Sequence, residues 1–256
     1  MLCGGVTPIV LTFNEEANIG RVLDRLTWAD RVVVLDSLST DRTKEIAEEY
    51  PNVEVHERPF DSHSNQSNHA LGLVETEWAL SLDADYVLTP ELIDEIAALP
   101  EDPGADGFEV SFVYCVGGRP LRGTLYPPRT VLYRAAKARY IQDGHTQRVK
   151  VDGPVRPLEA KVLHDDRKPL SSWLDAQRKY AALEAQKLRA TPPAELSRND
   201  RLRLKGVLAP ILAPIYALLV KGGALDGRAG WRYALERAYA EVLLALHLLD
   251  AQRDDG

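Results

Sequence analysis

The sequence predicts an α/β protein: a mainly parallel, doubly wound sheet followed by a C-terminal helical extension. Three observations predict it. Apolar runs of strand length alternate with helical periods through the first hundred residues. Three of those runs end in polar or acidic residues, where such sheets bind ligands. From residue 171 onward the apolar pattern is helical.

Taken in order, "VTPIVLTF" (6–13) reads as a strand, and "EEANIGRVLDRLTW" places Ile19, Val22, Leu23 and Leu26 at helical spacing. "RVVVLDS" (31–37) is a valine-rich second strand. "STDRTKEIAEEY" is a short helix with Ser39 or Thr40 as N-cap and Pro51 just past its end. "VEVHER" (53–58) is a third strand, residues 65–76 a helix, and "WALSLDAD" (78–85) a fourth strand. "TPELIDEIAAL" begins with Thr89 as N-cap and Pro90 at the first helical position. This βαβαβαβ order calls for right-handed crossovers and parallel strands. Beyond residue 108, "FEVSFVYCV" and "RTVLYR" read as strands, with "GGRPLRG" and "YPPR" as turns. Residues 171–190 form an amphipathic helix capped by Ser171 or Ser172, and "TPPAELSRND" reads as a linker. In the last helix Leu235, Ala238, Tyr239, Val242, Leu246 and Leu249 form a stripe.

A net charge of −7 over 256 residues argues against a nucleic-acid binder, while local charge can still receive an anionic ligand. The two cysteines, Cys3 and Cys115, form no CxxC pattern, so neither a zinc site nor a disulfide framework is expected. "MLCGGVTPIVLTFNEE" has no basic segment, long apolar stretch or cleavage site, which places the chain in the cytoplasm. "GVLAPILAPIYALLV" (206–220) carries no charge, but it falls short of the roughly 20 apolar residues of a spanning helix, and Pro210 and Pro214 interrupt it. It is either a helix packed in the protein or a piece lying against an anionic membrane surface, since Arg201, Arg203, Lys205 and Lys221 flank it.

Asp83 and Asp85 end the fourth strand. In strand geometry they share one side, where they repel unless a divalent cation joins them, and that cation could also bind a diphosphate. The alternative is a solvated strand end. Asp36 ends the second strand beside Ser37, Ser39 and Thr40, and it could accept from a base N–H or a ribose hydroxyl. Otherwise the segment is a capping loop in which Asp41 or Thr40 serves the helix. Asn14, Glu15 and Glu16 follow the first strand, either at the same edge or as acids of a first helical turn.

Together, "TFNEEANI", "LDSLSTDRT", "LDAD" and "TPEL", in that order and spacing, resemble glycosyltransferase family 2 on the Rossmann-like GT-A fold. The later segments "LYRAAKARY", "VLHDDRKPLSSWLDAQRKYAALEA" and "KGGALDGRAGWRYAL" resemble its lipopolysaccharide core β-1,4-glucosyltransferase-like branch. The resemblance implies a GT-A domain over 1–170, with a nucleotide-sugar half (1–100) and an acceptor half (101–170), then a helical region over 171–256 that could meet a membrane. It implies that Phe13 and Glu15 hold base and ribose, that Asp36 reads the nucleobase, and that Asn68 lies beside the nucleotide with Gln66 nearby. Asp85 is then the direct metal ligand with Asp83 helping, and His164 either completes the metal site or touches phosphate; a lone structural histidine is the alternative. Arg129 and Arg134 become phosphate contacts or plain surface arginines.

One departure matters. Where the related enzymes carry G-x-V-H-E, this chain has Asp143-Gly144-His145-Thr146-Gln147. His145 fits the histidine, but Thr146 stands at the acid and cannot act as a base near neutral pH. The general base falls to Asp143 or His145, with Asp143 favoured as a carboxylate and Asp165 or Asp166 as further choices. A turn shaping the acceptor pocket is the other reading of this run.

The expectation is an inverting, Mn²⁺- or Mg²⁺-dependent hexosyltransferase. It would carry glucose from UDP-glucose to a glycan or glycolipid of lipopolysaccharide, capsule or exopolysaccharide, in the cytoplasm or peripherally on the inner face of the membrane. A nucleotidyltransferase would show a Gly- and basic-rich loop where "TFNEEAN" stands. A degenerate nucleotide-sugar binder or membrane assembly protein is the rival that the missing acid sustains.

Overall fold

The computed structural model describes residues 5–144 and 146–254. They form two compact units. The first ends at Arg167 and omits 119–125 and 143–146, which group with the second unit, from Lys168 onward. That boundary lies three residues before the expected 170.

The first unit begins β1 (Val6–Thr12), α1 (Ile19–Leu23), β2 (Val32–Asp36), α2 (Thr43–Glu48), β3 (Val53–Glu57), α3 (His63–Leu71) and β4 (Trp78–Asp83). It continues with β5 (Tyr86–Leu88), α4 (Pro90–Ala98), β6 (Gly107–Val116), and, past the two-residue β7 (Arg119–Pro120), β8 (Arg129–Arg134). The β9–β10 hairpin (Ala138–Asp143, Thr146–Val151) and β11 (Val155–His164) follow. Sheet order is β3-β2-β1-β4-β8-β6-β11-β5. The first four strands are parallel, β8 runs antiparallel between β4 and β6, β11 is parallel to β6, and β5 is antiparallel to β11.

Both faces of the parallel half are covered, which is why its strands read as continuous apolar runs. Val10 and Val34 point into a core with Ile19, Val22, Leu23 and Leu26. Ile9, Val33 and Leu35, one residue out of phase, pack on Ala70 of α3. The helix expected from Glu15 shrinks to Ile19–Leu23, because the chain on either side bonds three residues back, from Asn18 N–H to Glu15 and from Arg25 and Leu26 to Val22 and Leu23. Nor do Ser39 and Thr40 cap α2, whose N-cap, Arg42, makes no side-chain cap bond. Helix α3 starts two residues early, where Ser62 accepts from Asn65 N–H at 3.2 Å. Strand β4 stops at Asp83, so Asp85 lies in the following turn rather than in the strand. Arg134 pairs across from Trp78 at the start of β4, the end remote from Asp83. It covers the Trp78 ring at 4.8 Å and ion-pairs with Glu77 and Asp106, so it is no phosphate contact there.

The second unit holds α5 (Leu170–Ala190), α6 (Arg198–Leu204), α7 (Leu208–Ile215), a π-helical turn (Tyr216–Val220) and α8 (Arg228–Asp254). Ala185 and Leu188 of α5 pack with Leu196, Leu244 and Leu248. The expected linker contains a capping box, with Ser197 and Asp200 starting α6. Pro214 lacks the N–H for its helical bond, and the chain widens directly after it: Lys221 N–H reaches Tyr216 O, five residues back, at 3.0 Å. Helix α5 starts at Pro169 without a side-chain cap, contrary to the expected Ser171 or Ser172.

Thr89 caps α4 as expected, accepting from Leu92 N–H at 3.2 Å, and it also donates to Lys161 O at 3.1 Å. Thr89→Ala is expected to lower stability by about 1–2 kcal/mol, and Ser171→Ala by less than about 0.5 kcal/mol. Urea denaturation of the two variants checks the contrast.

Candidate active site

The site lies in the first unit, where strand ends meet. Thr12 pairs with Asp36, and Leu11 with Asp83, so β1, β2 and β4 end at one level with an acid on either side of β1.

The β1 and β2 loops are clasped together. Asp36 is fully buried. It accepts from Thr12 Oγ1 at 2.7 Å, Ser39 N–H at 2.7 Å and Ser39 Oγ at 2.5 Å. Ser39 Oγ in turn accepts from Asn14 N–H, and Asn14 Oδ1 from Thr40 N–H, both at 2.8 Å. Asn14 and Leu38 sit at φ +54° and +64°, strained for a non-glycine residue, which the clasp sustains. The loops lift Phe13 and Leu38 outward, 57% and 47% exposed. Phe13 is thus placed to face a planar ring. Leu38 beside it escaped the sequence reading, because a left-handed leucine has no local signature.

The other expected nucleotide residues stand differently. Asp36 is where expected, with its carboxylate already accepting from Thr12 and Ser39. Glu15 holds the loop, its N–H bonding Thr43 Oγ1 at 2.6 Å and its carboxylate accepting from Asn18 at 2.8 Å. Glu16 lies outside any helical first turn and accepts from Arg42 N–H at 3.2 Å. Both ends of the Asn68 amide bond the main chain of Tyr140, at 3.0 and 2.8 Å, tying α3 to β9. Gln66, buried, links Ser37 to Arg58.

Only two residues, Ala84 and Asp85, connect β4 to β5, yet β8, β6 and β11 stand between those strands in the sheet. The sheet must curl to bring its far edge back. As a result His164, opposite Tyr86 in the β5–β11 register, meets Asp85: Nε2 lies 3.1 Å from Oδ2. Tyr86, Tyr114 and Tyr126 surround the imidazole at ring distances of 4.6–5.3 Å. Burial pulls the His164 pKa down, but the charge and hydrogen bond of Asp85 outweigh it, and the net shift is upward. Asp83 is raised by burial and then by the Asp85 charge, with Arg129 opposing. Burial, followed by the Asp83 charge, pushes the Tyr126 phenol up to about 12, and its hydroxyl bonds that of Tyr86. Arg129 lies 5.5 Å from the Tyr126 ring and supplies the local positive charge.

This cluster suits a divalent cation. Two ligands of an octahedral Mg²⁺ at 2.0–2.1 Å lie about 3 Å apart, close to the Asp85–His164 separation. Carboxylate plus imidazole is a donor set for Mn²⁺ as well. His164 Nδ1 has no hydrogen-bond partner among the described residues, so the ring is fixed by its aromatic walls and by Asp85. Among the described residues no group of three or more His, Cys, Asp or Glu is placed to hold a metal ion, so the protein offers the Asp85–His164 pair. Water and phosphate oxygens complete such open sites.

The residues considered as a base divide between the units. Asp165, 5% exposed, is bound by Arg21 at 2.8 Å and by Arg167 at 2.7 Å, which makes it a structural anion. Asp166 accepts from Asn18 at 2.9 Å. Asn18, itself fully buried, also accepts from Arg21 and Arg167 N–H and so ties the β1 loop to the segment after β11. Its sole sequence signal is a polar residue just before an apolar helical stripe. Asp143 belongs to the second unit, where Lys187 Nζ lies 2.6 Å from its carboxylate. Burial lowers the Lys187 pKa, but the bond to Asp143 and the charge of Glu184 raise it overall. Gly144 has φ +62°, and a Cβ there would meet Glu184 and Lys187. His145 lies outside the described residues.

A family model described as glycosyl transferase family 2 matches residues 7–153. An uncharacterized glycosyltransferase of Rickettsia bellii (strain RML369-C) is 36% identical over 97 residues, 38% of this chain and 33% of its own. The chain thus spans about a third of the length of the first curated relatives it matches. Lipopolysaccharide core biosynthesis glycosyltransferase LpsC of Rhizobium meliloti (strain 1021) is 26% identical over 246 residues, 84% of this chain and 89% of its own. Among solved structures, S. aureus TarS 1-349 in complex with UDP-GlcNAc aligns at TM-score 0.51 and 19% identity, over 98% of this chain and 92% of that one. Mycobacterium tuberculosis glucosyl-3-phosphoglycerate synthase, with Mn²⁺, UDP and phosphoglyceric acid, aligns at 0.50 and 16% identity, over 75% and 80%. These likenesses establish a shared fold.

The raised Asp83 carboxyl gives a signed prediction for the metal-free protein. A carboxyl raised by folding stabilises most at low pH, and that contribution is lost as pH rises through its folded value. In EDTA at neutral pH, Asp83→Asn is expected to melt above the native chain. The gain should shrink as pH falls and the Asp83 carboxyl takes up its proton. Thermal melts across pH check the sign.

Proposed function

The chain belongs to glycosyl transferase family 2, and from that premise we propose that it transfers a hexose from a nucleotide-diphosphate sugar to a hydroxyl of a glycan or glycolipid acceptor, with inversion. The Asp85–His164 pair beside Asp83, at the shared ends of β1, β2 and β4, is the observation that carries this reading. Phe13 and Leu38 flank the base, and Glu15 and Asp36 hold the loops beneath it. Asp85 and His164, with Asp83 alongside, would hold Mn²⁺ or Mg²⁺. Such an ion offsets the charge of a departing diphosphate. Arg129 adds a fixed positive charge at the same place.

The acceptor oxygen attacks the anomeric carbon from the face opposite the diphosphate. The bond to the diphosphate oxygen breaks as the new one forms, and the hydroxyl proton passes to a base. Asp143 is the carboxylate proposed for that base; His145 is the other choice. The neighbours support the donor and acceptor classes: TarS binds UDP-GlcNAc, the mycobacterial synthase holds Mn²⁺ with UDP, and LpsC is a lipopolysaccharide core biosynthesis glycosyltransferase. For this chain we assign UDP-glucose as donor and a lipopolysaccharide-type acceptor, with the reaction at the inner face of the cell membrane. No helix among the described residues is long and apolar enough to cross a membrane.

Calorimetric titration with UDP, GDP and CDP and their glucose conjugates, in Mn²⁺ and again in EDTA, tests the site. UDP ligands should bind only with metal, and Asp85→Ala should weaken that binding at least about 100-fold with an unchanged circular dichroism spectrum. Metal-independent binding, or native affinity in Asp85→Ala, would remove the assignment. Asp143→Asn should leave UDP affinity intact and slow UDP release with truncated lipopolysaccharide as acceptor by about 100-fold or more. Undiminished turnover would place the base elsewhere, and binding with no turnover in the native chain would favour a nucleotide-sugar binder.

A further inference from the structure

We propose that the outward face of α7 and the π-helical turn after it docks on an anionic lipid bilayer. The inference rests on helix geometry and charge in the second unit and does not depend on the transfer reaction.

The segment is amphipathic in the reverse sense. A surface helix normally turns its large apolar residues inward. Here Ala209 and Ala217 are buried and Ala213 is half-buried, so alanines at four-residue spacing form the inner face. Ile211, Leu212, Ile215, Tyr216, Leu219 and Val220, at helical spacing on the outer face, are all exposed, Leu219 by 72% and Val220 by 65%. No residue from 207 to 220 is charged. A contiguous apolar face of this kind marks an interaction surface.

The inner face has no room for the large side chains. A Cβ on Gly223 would lie 2.9 Å from the Ala217 carbonyl oxygen, and Gly230 has no space for a Cβ against the Gly223 carbonyl. Backbone therefore packs on backbone: the π-turn at Ala217 sits on Gly223, and Gly223 sits on Gly230 at the start of α8, so position 217 has no room for a large side chain. The outward leucines and isoleucines are held where they are by the fit beneath them.

Charge identifies the occupant. Between 201 and 235 the chain has six basic residues (Arg201, Arg203, Lys205, Lys221, Arg228 and Arg232) against the single acid Asp226, within a protein of net charge −7. Arg203 pairs with Glu241, and Arg232 with Glu236. Arg201, Lys205, Lys221 and Arg228 have no ion pair among the described residues. Lys205 and Lys221 bracket the apolar segment, and the Lys221 ammonium lies 5.9 Å from the Tyr216 ring. Tyr216 and Trp231 are exposed, as interfacial aromatics are. Phosphate headgroups would take the four cations while the apolar face enters the acyl boundary. A second copy meeting the same face would set these cations against each other. The α7 helix has eight residues and the π-turn five. At 1.5 Å per residue they reach about 20 Å, short of a hydrocarbon core of about 30 Å, so the segment lies in the interface.

Sedimentation of the full chain with phosphatidylcholine vesicles, with and without about one-third phosphatidylglycerol, tests the proposal. Binding to the anionic vesicles should be at least about tenfold tighter and should fall as salt rises. Ile215→Asp/Leu219→Asp should abolish it, and Lys205→Glu/Lys221→Glu should remove the preference for phosphatidylglycerol. Both variants should keep the native helical spectrum and UDP affinity, because the changed side chains lie on the surface of the second unit. Absence of vesicle binding by the native chain, or native binding in Ile215→Asp/Leu219→Asp, overturns the proposal. So does a concentration-dependent dimer in analytical ultracentrifugation that Leu219→Asp dissolves, which would give the face to a second copy.

Discussion

The curl of the sheet is the constraint on which the site depends. Strands β4 and β5 are joined by Ala84 and Asp85 alone, yet β8, β6 and β11 separate them in the sheet. A flat sheet cannot satisfy that link, since neighbouring strands stand about 4.8 Å apart and two residues span about 7 Å. The sheet bends until the β11 edge returns to the end of β4, and the β5–β11 register delivers His164 to Asp85. Shifting β11 by one residue would turn the imidazole to the other face. The site is thus built by closing a long path, and no local segment encodes it.

Electrostatics sets what the closure can do. Asp83 and Asp85 carry like charge in a partly buried place, and among the described residues Arg129 and His164 oppose it. That opposes stability in the metal-free protein and favours binding of a cation with phosphate. The loops above show the same pattern on the backbone. Asn14 and Leu38 hold left-handed conformations because the Asp36–Ser39–Asn14 chain of hydrogen bonds fixes them. Its members act through geometry, whereas Phe13 and Leu38 offer the surface.

The second unit distributes its apolar residues according to packing distance. Close backbone contacts run from Ala217 to Gly223 and on to Gly230, and the buried positions of the segment are alanines, so the leucines and isoleucines face outward beside four cations that make no ion pair among the described residues. A sequence rule that sends large apolar residues inward fails here, because the close approach at Ala217 leaves no volume for them.

By itself the sequence determined the alternating elements up to α4, except the short β5, and the class of sheet, since periods of two and 3.6 depend on local alternation; β9, β10, β11 and α6 went unread. It also determined Thr89 and Pro90 as a helix start, and the acids at the strand ends. Its motif spacing named Asp85 and His164 as partners by resemblance, without a reason why they should meet. Only the tertiary structure decided that reason, through strand register across a curled sheet. It also assigned the Asn68 amide to Tyr140, Asp165 to two arginines and Asp143 to Lys187, pairings made by residues far apart in the chain. The orientation of 206–220 was open in the sequence, which shows that the segment is apolar but not which face has room beneath it. That depends on how closely two backbones approach, a distance that no single helix carries in its own residues.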